Sequence, residues 1–254
     1  MPFQLLPPGV ATDPPSTAAH DSTAIFIDLL RVLAAFIVFL GHLTWTKFSD
    51  LPWITGHGAV MIFFVISGYV IALTTDIKDA TLRQYAVARL ARLYSVVLPA
   101  LLLTYVADSI GMRFNAALYD GEPHDHALFR LLSAATYTCQ LWFLNINPLS
   151  NMPYWSLPYE FIFYVMWGVY FYLRGKTRVL LLAGVALIAG PKILMYLPIW
   201  LIGVAAYRLR RISLNRQDAG FGLLAGFVFL PVLYIVGRHT RYDIAFVNGV
   251  AGFR

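Results

Sequence analysis

Residues 59–73 read AVMIFFVISGYVIAL and carry no charged side chain. Apolar runs of this kind recur along the chain, and that recurrence limits what it can fold into. Inside hydrocarbon every backbone N–H and C=O must find a partner within the protein, which leaves the α-helix as the simplest way to cross a bilayer. A soluble domain could bury one such segment, but not a succession of them. Composition agrees: 59% of the 254 residues are hydrophobic and 13% charged, against roughly 45–50% and 25% in soluble domains. The expected fold is therefore all-α, a polytopic transmembrane helical bundle with about 7–8 membrane segments.

Residues 1–23, MPFQLLPPGVATDPPSTAAHDST, are rich in Pro, Ser, Thr and Ala. They lack the basic start and apolar run of a signal peptide and read as a disordered tail. The transmembrane domain is expected over 24–254. Its spans fall at roughly 24–45, 58–75, 94–112, 155–173, 178–190, 193–207 and 220–237. The stretch 131–149, LLSAATYTCQLWFLNINPL, is apolar enough for a span or a re-entrant element.

Charge arbitrates between these two. Nineteen Lys and Arg stand against 13 Asp and Glu, a net charge of +6. In a membrane protein such an excess gathers in cytoplasmic loops and does not signal nucleic-acid binding. With Met1 inside, the loop bearing Lys78, Arg83, Arg89 and Arg92 is inside too. A re-entrant 131–149 keeps Arg174, Lys176 and Arg178 inside, and then Arg208, Arg210, Arg211 and Arg216. A full span would throw both clusters outside. About seven crossings and one re-entrant or interfacial segment are expected. The single cysteine, Cys139, excludes an internal disulfide and a Cys-based zinc cluster. His57, His124 and His126 read as solvated loop residues, and no metal is expected.

Asp28, Arg31 and His42 stand out because an ionisable group at the centre of a span costs at least ~2.5–3.5 kcal/mol. Eleven helical steps separate Arg31 from His42, three turns and only about 20° more, so both lie on one face roughly 16 Å apart. Asp28, one turn before Arg31, can neutralise it. One reading makes Asp28 and Arg31 interfacial anchors and His42 a loop-adjacent residue. The other makes His42 a general base, since imidazole takes a proton from a hydroxyl near neutral pH.

Four ordered motifs extend this. IDLLRVLAAFIVFLGH holds Arg31 and His42, FFVISGYVI holds Ser67 and Gly68, ARLARLY holds Arg89 and Arg92, and YWSLPYEFIFYVMW holds Trp155, Ser156 and Glu160. A weaker fifth, LPIWLIGVAAY, surrounds Gly203. Together they resemble the membrane-bound acyltransferase 3 family. The resemblance covers residues 25–207 and implies an O-acyltransferase. Such an enzyme moves an acyl group, by family habit acetyl, from cytoplasmic acyl-CoA to a hydroxyl of a carbohydrate or other cell-surface acceptor. It implies His42, Arg31 and Glu160 as catalytic residues and Arg89, Arg92, Ser67 and Gly68 as donor-binding residues. Asp28, Trp155 and Ser156 would support them. Acyl-CoA would be a co-substrate with no permanently bound cofactor, and the setting a bacterial cytoplasmic membrane with the N-terminus inside.

Two departures accompany the resemblance. Family members have longer chains with more spans, and Met61 stands where many relatives carry an acid. A small transporter using the Asp28–Arg31–His42 stripe as a proton path, and a truncated inactive acyltransferase, are the alternatives. Simpler readings also stand beside each motif. Ser67 and Gly68 would let helices approach closely, Arg89 and Arg92 would set topology, and Glu160 would cap its helix. Tyr154 and Trp155 would be interfacial aromatics.

Overall fold

A computed structural model of the chain describes residues 17–45, 56–119 and 123–209, and all regular structure among them is helical. The chain divides into two compact units, Met1–Ala59 and Val60–Arg254. The first contains α1, Thr17–Trp45. This helix begins seven residues before the expected boundary, because TAAHDST contains neither Gly nor Pro and its alanines favour helix. Residues 1–16 of the expected tail lie outside the described residues. Helix α2, Gly56–Ile77, contains the division between the units and enters the second.

In the second unit, α3 runs Leu82–Phe114. The loop expected to bear Lys78, Arg83, Arg89 and Arg92 is thus largely helix, and a capping box explains it. Gln84 N–H donates to Thr81 Oγ1 at 3.2 Å, and Thr81 N–H donates to Gln84 Oε1 at 3.1 Å, which pairs two otherwise orphaned donors. Tyr85, Arg89, Leu93, Val97 and Leu101 recur every four residues and form the buried stripe of α3. Arg89 is matched by Asp79, just before the helix, at 2.7 Å, and its guanidinium lies over the Tyr85 ring at 5.3 Å. Both partners are buried, so removing one strands a charge. Asp79→Ala is expected to lower stability by about 3–5 kcal/mol, read as a fall in thermal midpoint in detergent.

The remaining helices are α4, Ala127–Ala135, α5, Ser156–Tyr172, α6, Gly175–Ala189, α7, Pro191–Leu194, and α8, Leu197–Leu209. Short 3-10 turns lie at Ala116–Tyr119 and Met152–Trp155. The stretch 131–149 is not a helical span: α4 has nine residues, about 14 Å of helix, and the chain then runs irregularly. Irregular backbone at membrane depth must be paired by protein groups, and such groups are present. Tyr154 OH donates to Ala134 O at 2.8 Å and Tyr94 OH to Ala135 O at 3.0 Å. The buried Lys192 donates to Gln140 Oε1 at 2.8 Å and to Leu144 O, and Trp142 N–H to Ala189 O at 2.9 Å. Tyr154 is accordingly a buried anchor of this loop and not an interfacial aromatic.

The polar stretch 113–130, which begins in the last turn of α3, is pinned at several points. His124 Nε2 lies 3.1 Å from Asp108 Oδ2, and Ser150 Oγ donates to Asp108 Oδ1 at 2.6 Å. His124 is therefore tied down, not simply solvated. His126 has a left-handed backbone and precedes α4. The side chain of His57 lies outside the described residues.

Among the described residues, four helical stretches are long and apolar enough to cross a membrane by length and composition: Ile25–His42, Gly58–Ile77, Leu82–Phe114 and Pro191–Leu209. Helices α5 and α6 have 17 and 15 residues. Large apolar side chains cover the outside of the second unit, among them Leu102, Leu103, Leu180 and Leu187, each 65–71% exposed. A surface so apolar belongs in a bilayer, so this is a helical membrane protein. The span expected at 220–237 lies outside the described residues.

Candidate active site

In the first unit, Arg31 and His42 share α1, and Arg31 Nη1 donates to Asp28 Oδ1 at 3.1 Å. His42 Nδ1 lies 2.7 Å from the carbonyl oxygen of Val38, one turn earlier. A carbonyl can only accept, so Nδ1 must carry the proton. Neutral His42 is thereby held as the tautomer whose Nε2 keeps its lone pair. That is the form in which an imidazole can remove a proton.

In the second unit, Ser67, Glu160, Tyr164 and Trp200 form one polar knot within an apolar core. Ser67 comes from α2, Glu160 and Tyr164 from consecutive turns of α5, and Trp200 from α8. Ser67 Oγ donates to Glu160 Oε1 at 2.7 Å, and Tyr164 OH donates to the same oxygen. Trp200 Nε1–H donates to Ser67 Oγ at 3.3 Å. The two hydroxyls lie 3.2 Å apart, but each has one proton and both protons are directed at Glu160. Glu160 therefore does not cap α5: its carboxyl is held by side chains from α2 and its own helix.

Gly68 and Gly203 explain how α2 and α8 come this close. A Cβ on Gly68 would meet the Trp200 carbonyl oxygen at 2.0 Å, and one on Gly203 the Val65 carbonyl oxygen at 1.9 Å. Both positions are filled by the opposing backbone, the close helix approach that small residues permit. Above the knot, Phe64, Trp155, Tyr159 and Tyr196 pack ring against ring, with Trp155 5.3 Å from Tyr159 and 6.4 Å from Phe64. Trp155 is half-buried in this cluster. Ser156, also half-buried, opens α5.

The two arginines of the ARLARLY motif differ. Arg89 is buried and engaged by Asp79, whereas Arg92 is exposed and close enough for its charge to act on the Tyr164 hydroxyl. The structure thus joins Ser67 to Glu160 across 93 positions of sequence, with Arg92 nearby. Tyr164 and Trp200 were not expected from the sequence. Tyr164 could have been found, since it lies one turn after Glu160 on the same face. Trp200 could not, because only the glycine contacts bring α8 to Ser67. No group of three His, Cys, Asp or Glu side chains capable of holding a metal occurs among the described residues.

Comparison with known proteins identifies the family. An O-acetyl transferase of Shigella phage Sf6 is 27% identical over 152 residues, which is 56% of this chain and 44% of that protein. The chain thus spans less than half the length of that relative. No solved structure matches it. The family described as an acyltransferase domain matches residues 24–249, which include most of α1, with Arg31 and His42, and every member of the polar knot. With nearly its whole length inside that match, the chain belongs to the acyltransferase 3 family.

Proposed function

We propose that the protein is an O-acyltransferase that moves an acetyl group from cytoplasmic acetyl-CoA to a hydroxyl of a carbohydrate at the cell surface. The observation that carries this reading is the Nδ1 hydrogen bond of His42 to Val38 O, which leaves Nε2 as the basic nitrogen. In the reaction Nε2 takes the proton of the acceptor hydroxyl as its oxygen attacks the thioester carbonyl. The carbon–sulfur bond then breaks, and the CoA thiolate recovers that proton from the imidazolium. Arg31, oriented by Asp28, lies roughly 16 Å along α1 from His42 and so steadies the donor away from the reacting carbonyl. The same residues give a transporter no substrate path that the family match would favour.

The donor would be held by its phosphates, for which guanidinium is well shaped. Arg92 is the better placed for this, since Arg89 is committed to Asp79. An N-terminus inside a bacterial cytoplasmic membrane would put the start of α3, with Arg83 and Arg92, on the side where acyl-CoA is found. Ser67 and Gly68 serve the donor-binding region indirectly, by fixing α2 against α8 and Glu160. Ser156 sets the first turn of α5, and the Trp155 ring offers an apolar face to a sugar. Arg92→Ala is expected to raise KM for acetyl-CoA about tenfold with kcat nearly unchanged, measured in membranes with saturating acceptor. An unchanged KM would remove Arg92 from the donor site.

A further inference from the structure

Glu160 is held asymmetrically. Both hydrogen bonds that it receives fall on Oε1, from Ser67 Oγ and from Tyr164 OH. Among the described residues neither falls on Oε2. Ser67 and Tyr164 are buried, while Glu160 is half-buried, so Oε1 is the oxygen tied to the core and Oε2 the one with no hydrogen bond among the described residues.

The hydroxyl protons explain how this asymmetry is enforced. Ser67 could rotate its proton elsewhere, but Trp200 Nε1–H approaches its oxygen at 3.3 Å and occupies an acceptor position. Indole N–H is a donor only, so Ser67 is left to donate towards Glu160. Tyr164 is fixed by covalent spacing, four residues after Glu160 on one helix face. Packing holds the indole in turn: Trp200 lies 6.0 Å from Phe163 and 5.9 Å from Trp167, ring to ring. Trp200 thus directs Ser67, and Ser67 and Tyr164 together direct Glu160.

We propose that Tyr164 and Trp200 are positioning residues that present Glu160 Oε2 to a hydroxyl of the acyl acceptor. Oε2 accepts a hydrogen bond from that hydroxyl-bearing ligand and so orients it for acylation. A carboxylate accepts only, so the ligand group it meets must be a donor. A hydroxyl meets that requirement; the thioester does not, and the amide N–H groups of the CoA arm, which could, are told apart from the acceptor by the two KM values below. This assignment rests on the acyltransferase reading above and goes beyond it by giving Glu160 the acceptor and not the donor.

The test uses the full chain in membranes, with Tyr164→Phe and Trp200→Phe. Each keeps an aromatic ring in the core and removes one hydrogen-bond donor. Losing a hydrogen bond to a charged group lowers acetyl transfer roughly 10- to 100-fold in Tyr164→Phe. Trp200→Phe, acting one step further away, has a smaller effect in the same direction. The expected loss appears in kcat and in KM for the acceptor, while KM for acetyl-CoA stays within about twofold, whatever fall in thermal midpoint the lost buried hydrogen bond brings. A purely structural role would lower the midpoint and leave both KM values alone, and that pattern would overturn the proposal. Tyr164→Phe with wild-type kinetics would overturn it while leaving the acyltransferase reading standing. Wild-type membranes that transfer no acetyl from acetyl-CoA would overturn both.

Discussion

His42→Ala should lower acetyl transfer by about 10²–10⁴-fold, the range for loss of a general base, without reducing the amount of protein in the membrane. The effect is large because neither charged neighbour in the same polar stripe of α1 can take over. Arg31 is a permanent cation that cannot accept a proton, and Asp28 is bound to it at 3.1 Å. The stability effect should be small, since among the described residues His42 makes a single side-chain bond, to the carbonyl of Val38 on its own helix. That carbonyl still accepts the helical N–H four residues on, so the substitution leaves the backbone paired. His42→Gln sharpens the comparison: an amide can still form a hydrogen bond but cannot act as a base. It should be nearly as inactive as the alanine variant. Quantifying label transferred to acceptor, against protein content by immunoblot, separates lost chemistry from lost protein.

The second large effect is on folding. Gly203→Ala should destabilise the protein by at least ~3 kcal/mol, at the upper end of the cost of overpacking, and deplete it from membranes. The new Cβ would lie 1.9 Å from Val65 O and 2.7 Å from Tyr69 N. Both are backbone atoms of α2, so no side chain can swing aside to relieve the contact. The helices would have to separate by more than an ångström. That separation breaks the 3.3 Å hydrogen bond from Trp200 to Ser67, so whatever protein survives should also be impaired in transfer. Gly68→Ala strikes the same crossing from the other side, 2.0 Å from Trp200 O. The two substitutions share one contact, so their effects should fall well short of additive. Thermal midpoints of the single and double variants in detergent measure this.

How much of this could be read from the sequence follows from what each element depends on. The helices could be read because apolar length alone dictates them in a bilayer: α2 and α5 fall within two residues of the expected spans, and α1 ends where expected but starts seven residues earlier. The start of α3 was less visible. Thr81 and Gln84 are three apart as a capping box requires, yet the charges that follow look like a loop. The stretch 131–149 was ambiguous because its irregular backbone is paired from outside, by Tyr94, Tyr154 and Lys192, and local sequence cannot announce such partners. Gly190 belongs to the same contact: its φ is +78°, and a Cβ there would meet Trp142 Cα at 2.6 Å.

The site shows the same division. The Asp28–Arg31 pair depends on helical spacing and was legible, as was the shared face of Arg31 and His42. The tautomer of His42 needed the Val38 carbonyl distance. Arg89 and Arg92 look equivalent in ARLARLY but differ in the fold, because one faces Asp79 in the core and the other faces outward. Glu160 read as a helix cap because it falls in the first turns of α5. Its partner Ser67 belongs to another helix, and only tertiary structure could supply it.

The most direct measurement of the central claim follows labelled acetyl from acetyl-CoA into the carbohydrate of membranes that contain the wild-type chain or His42→Ala. The account predicts label that depends on acetyl-CoA with the wild type, and at most about one hundredth of it with the variant. Equal labelling by the two would contradict the assignment of His42 as the base.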